Sequence, residues 1–72
     1  MIARVYRDKD GARLAAIQSP SGVCFIGRKV MNGPFQRVTP QRAPELSGTK
    51  FTWETVQRRL DEYAEARGLK EV

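Results

Sequence analysis

The chain has 72 residues, 40% of them hydrophobic and 29% charged, with a net charge of +5, one cysteine and no histidine. A chain this short forms one domain that buries only about 60% of its unfolded surface, and a lone thiol excludes an internal disulfide. No apolar run approaches the ~18 residues of a membrane span, Arg4 and Arg7 interrupt the N-terminal stretch where a signal peptide has its apolar core, and the missing histidine removes the commonest general base and metal ligand.

The first segment, Ile2 to Arg7, reads as a short strand. It runs into Asp8-Lys9-Asp10-Gly11, where aspartate suits the start of a type I turn and glycine the left-handed position that follows. Ala12 to Gln18, carrying Leu14 and Ile17, is the second strand, broken by Ser19-Pro20-Ser21-Gly22. Val23 to Val30 is the strongest strand pattern in the chain. Asn32-Gly33 then favours a tight two-residue hairpin turn. Phe35 to Thr39 is a fourth, shorter strand, and Pro34 at its start suits a sheet edge.

Between Pro40 and Lys50 the pattern lapses. The span has two prolines, Pro40 and Pro44, and a single large apolar residue, Leu46, so it is expected to be a mobile connection, with one helical turn at Pro44–Ser47. The last segment has the signals of a helix over Trp53 to Arg67. Thr52 can cap it, Glu54 lies in the favourable first turn, and Phe51 with Val56 fits a hydrophobic staple. Trp53, Val56, Leu60, Tyr63 and Ala64 share one stripe about 100° wide, which marks the two aromatics as core residues before base-stacking ones. Gly68 suits the left-handed position after the helix, with Leu69 as its apolar contact.

The order β-β-β-β-α with short connections predicts an α+β fold: an antiparallel meander of three to four strands with one C-terminal helix packed on one face. The single domain spans 1–72, divided into a meander (1–39), a proline-containing loop (40–50), and the helix and tail (51–72).

Turn lengths then set the register. A three-residue turn at Lys9–Gly11 pairs Arg7 with Arg13, a four-residue turn at Ser19–Gly22 pairs Arg13 with Arg28, and a two-residue turn at Asn32-Gly33 pairs Arg28 with Arg37. Directly paired residues share a face. One face is thus expected to hold Ile2, Tyr6, Leu14, Ala16, Phe25 and Val38 beneath the helix. The other holds Arg7, Arg13, Arg28 and Arg37 in a row, flanked by Val5, Ala15, Ile17, Ile26, Val30 and Phe35. Like charges directly opposite are destabilising, so such a row implies an anionic partner. The plainer reading is four solvated arginines near strand ends, and one residue of slip in any hairpin dissolves the row.

The charge supports the first reading in part. Residues 1–50 carry nine Lys or Arg against three acids, whereas residues 51–72 carry four against five. Catalytic chemistry finds no footing. Cys24 lies in an apolar strand without an activating partner, Asp8-Lys9-Asp10-Gly11 lacks the remaining ligands of a calcium loop, no glycine-rich phosphate loop is present, and no base accompanies the hydroxyls. The expectation is a small basic non-enzymatic protein of the cytoplasm, without cofactor, metal or membrane contact. It binds, or accompanies, nucleic acid through Arg7, Arg13, Arg28, Lys29, Phe35 and Arg37. The alternatives are a small protein-binding module, such as an inhibitor or regulatory subunit, docked on an acidic partner surface, and a structural homodimer.

Overall fold

The structure, a computed structural model, describes residues 2–48 and 52–72. Three six-residue strands, β1 (Ile2–Arg7), β2 (Arg13–Gln18) and β3 (Cys24–Lys29), form the middle of one antiparallel sheet. Two-residue strands, β4 (Gln36–Arg37) and β5 (Lys70–Glu71), lie at its edges, giving the order β4-β3-β2-β1-β5. The meander and its helix are as the sequence predicts. The segment expected as a tail is instead the fifth strand: Tyr6 faces Glu71, Arg7 faces Lys70, and the Val72 N–H donates to the Val5 carbonyl at 2.7 Å.

The first two hairpins close by one chemistry. Asp8 N–H donates to the Ala12 carbonyl at 2.8 Å, Ser19 N–H donates to the Val23 carbonyl at 2.9 Å, and Gly11 and Gly22 take φ of +82° and +91°. In each, a side-chain oxygen at the turn's start accepts from the backbone. Asp8 Oδ1 takes the amides of Asp10 and Ala12, both at 2.9 Å, and Ser19 Oγ takes the amide of Val23 at 3.3 Å. Both loops therefore hold three residues. The four-residue turn expected at Ser19–Gly22 is corrected, and Arg13 faces Lys29 while Leu14 faces Arg28. The third hairpin is also corrected. Gly33 N–H donates to the Val30 carbonyl at 3.0 Å with Met31 in the left-handed region (φ 54°), so Arg28 faces Gln36 and Gly27 faces Arg37.

These slips move residues across the sheet. Cys24 and Ile26 join Leu14, Ala16 and Val38 in the core beneath the helix, whereas Phe25, expected there, turns to the other face. Ile2 also changes sides, because an irregularity between Ile2 and Val5 sets it opposite Ile17, as a bulge does by adding a residue to one strand.

Helix α1 (Trp53–Arg67) supplies Val56, Leu60 and Ala64 as its buried stripe, with Trp53 and Tyr63 packed against the core at its margin. Thr52 Oγ1 accepts the Thr55 amide at 3.3 Å. At the other end Gly68 sits at φ 67°, and the Leu69 N–H reaches the Ala64 carbonyl at 2.9 Å. That is the six-to-one bond of a Schellman end, and it turns the chain back so that Leu69 packs on the core and β5 can meet β1. The staple residue Phe51 lies outside the described residues. The connection expected to be mobile places Ala43 and Leu46 in the core, with Pro44–Leu46 forming a 3-10 turn.

Polar contacts tie α1 to β1. The Asp61 carboxylate accepts from Arg4 at 2.6 Å, from the Tyr6 hydroxyl at 2.7 Å and from Gln57 at 2.9 Å. Burial, then the bond to Asp61, raises the Tyr6 pKa above its ordinary 10.0.

Candidate functional site

The helix covers one face of the sheet and leaves the other open. Cross-strand pairing arranges that open face in rows. Lys70 faces Arg7, Arg7 faces Arg13, and Arg13 faces Lys29, so four cationic residues stand in line across β5, β1, β2 and β3. At the usual strand spacing the line spans roughly 14 Å. The next row runs Val5, Ala15, Gly27 and Arg37, and a third holds Ile2, Ile17 and Phe25. Cations thus gather at one end of the face and apolar groups at the other.

Gly27 lets its neighbours pack across the middle of the face. A Cβ there would lie 2.7 Å from Ile17 Cδ1 and 3.2 Å from Phe35 Cβ, so these two side chains close over the space that glycine leaves. Ala15, on the same face, is 0% exposed although no helix lies over it. The two phenylalanines lie beneath cations: Lys29 Nζ is 5.8 Å from the Phe35 ring centre, and the Arg37 guanidinium is 5.2 Å from that of Phe25. Ile2, Val23 and Val72 border the apolar end at 46%, 36% and 56% exposure.

Four of the eight acids pair with cations elsewhere. Asp61 pairs with Arg4 at 2.6 Å, Glu45 with Arg67 at 2.8 Å, and Asp8 and Asp10 with Arg28 at 3.4 and 3.7 Å. Arg7, Arg13, Lys29, Arg37 and Lys70 have no acidic partner among the described residues.

Of the residues singled out from the sequence, Arg7, Arg13, Lys29, Phe35 and Arg37 share the open face. Arg28 does not. The slipped register sends it to the helix side, where it ties the first turn to β3 and is a structural ion pair. Lys70 takes the place that sequence reasoning reserved for a fourth arginine, at the opposite end of the line. Its only sequence trace is the charged pair Lys70-Glu71 between Leu69 and Val72, too short to read as a strand.

Chemically the face offers permanent positive charge, planar guanidinium donors and two aromatic rings. Cys24 is buried on the helix side, its thiol 3.6 Å from the Gly22 carbonyl. Among the described residues no group of three His, Cys, Asp or Glu is placed to hold a metal ion, and no helix is long and apolar enough to cross a membrane. The chain matches no protein-family model, and comparison with curated proteins and with solved structures finds no match.

Proposed function

We propose that this chain is a small, non-enzymatic nucleic-acid-binding accessory protein of the cytoplasm that holds a phosphodiester backbone on its open sheet face. The observation that carries the reading is the line Lys70–Arg7–Arg13–Lys29. Three successive like-charged pairs each work against the fold, and among the described residues no acid pairs with any of the four cations. A polyanion laid along the line reverses that cost. Lys70, Arg7, Arg13 and Lys29 contact phosphates, and Arg37 and Phe35 flank them.

Binding of this kind has little sequence preference and strong salt dependence, with a slope of log affinity on log salt of about −0.7 to −0.9 per phosphate. Four contacts give a slope near −3 by that rule, roughly. Fluorescence anisotropy with labelled oligonucleotides over a salt series measures it. Replacing Arg13 and Lys29 with Gln is expected to halve the slope, whereas replacing Arg58 and Arg59 on the helix changes it far less. Equal losses from both pairs would reduce the effect to net charge alone.

One observation favours a second reading. The exposed Ile2, Val23 and Val72 edge the same face, and contiguous apolar surface commonly marks a protein interface, where arginine and aromatic residues are frequent anchors. Under that reading the partner is a protein with an acidic surface. An absence of binding to DNA and RNA at low salt would shift the preference to it, and a concentration-dependent mass would point to a second copy.

A further inference from the structure

Resting on that reading, we infer that the ligand is a single strand, with bases stacked on Phe35 and Phe25 while its phosphates follow the cationic line. Lys29 projects over the Phe35 ring, which extends the cationic line by one aromatic position toward β4. Phe25 lies four residues from Lys29 on β3, roughly 13 Å along the strand, and between them Gly27 lies buried beneath the Ile17 and Phe35 side chains. A backbone on the line therefore leaves its bases over the apolar surface of Phe35 and Ile17, with the Phe25 ring beyond. Lys29 and Arg37 are long enough to leave their rings for a phosphate, which frees each ring face.

A duplex uses little of this surface. Its base faces are already buried in its own stack, so the rings and the apolar floor gain nothing from it. Groove readout requires a projecting helix or two-stranded ribbon. Here the helix lies on the opposite side of the sheet and its outer face carries Glu54, Glu62 and Glu65 against Arg58, a net negative charge. A single strand satisfies both halves of the face, through charge on the line and stacking at the rings. Stacking on aromatic side chains tolerates any base, and two ring contacts together amount to more than tenfold in affinity.

The test compares single-stranded and duplex oligonucleotides of equal length and matched ionic strength, using the whole chain. The single strand is expected to bind at least tenfold more tightly. Joint replacement Phe25→Leu and Phe35→Leu, which keeps the side chains apolar, is expected to lower single-strand affinity more than tenfold while leaving duplex affinity and the salt slope unchanged. Phe35→Tyr, which keeps a ring, retains the single-strand preference, and circular dichroism checks that each variant folds. Equal affinity of the wild-type chain for both ligands overturns the inference, as does an equal loss on both in the leucine variant. Binding with the expected salt slope but no strand preference defeats this inference alone, whereas no binding to either ligand defeats the proposed function with it.

Discussion

Gly27 is the residue that shapes the open face, and it does so by lacking a side chain. Ile17 and Phe35 meet over it from β2 and from the segment leading into β4, and a methyl group would intrude on both. The two contacts are unequal. Ile17 Cδ1, at 2.7 Å, is the end of a side chain with a free torsion, whereas Phe35 Cβ, at 3.2 Å, moves only with its backbone. Overpacking costs about 1–3 kcal/mol, and removing glycine's unfolded-state freedom returns about 0.5–1 kcal/mol. Gly27→Ala is therefore expected to lower stability by about 1 kcal/mol on balance, measured by urea unfolding. A gain in stability would show that the face relaxes freely around Gly27. The sequence hints at this residue only as a lone glycine inside a strand pattern, a sign of close approach. What approaches it depends on register, which the residue itself does not encode.

At the scale of elements, local signals were legible and two-residue features were not. Helix α1 begins after Thr52 and ends before Gly68 as the sequence predicts, because cap, stripe and left-handed glycine all lie within the element. The β1–β2 turn was equally readable from Asp8 and Gly11. The β2–β3 turn has the same spacing, an oxygen-bearing residue three before a glycine, and its pairing closes on the residue after that glycine in both cases. Pro20 obscured the likeness. In the third turn the left-handed residue is Met31, whose side chain has no preference for that conformation, so Asn32-Gly33 suggested too short a loop. Strand β5 has no pattern of its own and forms because the Schellman end and Leu69 return the chain to β1. Where α1 is fixed against β1, the Asp61 contacts make a measurable claim. Tyr6 is neutral in the fold and its folded pKa lies above 10.0. A raised folded value means that the hydroxyl's contribution is fully present below the unfolded pKa and is lost as pH rises through the folded one. Tyr6→Phe is expected to cost about 1 kcal/mol at neutral pH, the net value of a typical hydrogen bond. It is also expected to flatten the fall in stability above pH 10.0 relative to the wild type. Urea unfolding from neutral pH into that alkaline range checks both, and parallel curves for the two proteins would show that Tyr6 does not titrate with unfolding.

For the molecule as a whole, the separation of charge links stability to binding. The helix side pairs four acids, Asp61, Glu45, Asp8 and Asp10, with Arg4, Arg67 and Arg28. The open side is left with Lys70, Arg7, Arg13 and Lys29 in line. Each directly opposed pair costs some fraction of the 0.2–1 kcal/mol range of cross-strand pairs, so the three together cost roughly 1–2 kcal/mol at low ionic strength. Salt screens exposed charges over about 10 Å at 0.1 M. The melting temperature is therefore expected to rise as salt is added from a low-salt buffer, by several degrees at ~4–8 °C per kcal/mol for a domain of this size. Gln at Arg13 and Lys29 removes two of the three pairs and leaves only Lys70 opposite Arg7. That double variant is expected to melt higher than the wild type at low salt and to lose most of the salt response, while binding nucleic acid more weakly. Opposite signs in the two measurements are what a ligand-directed line of charge requires. A variant that melts lower than the wild type at low salt would mean that the four side chains support the sheet through their aliphatic stems, and the argument from uncompensated charge to an anionic partner would fail.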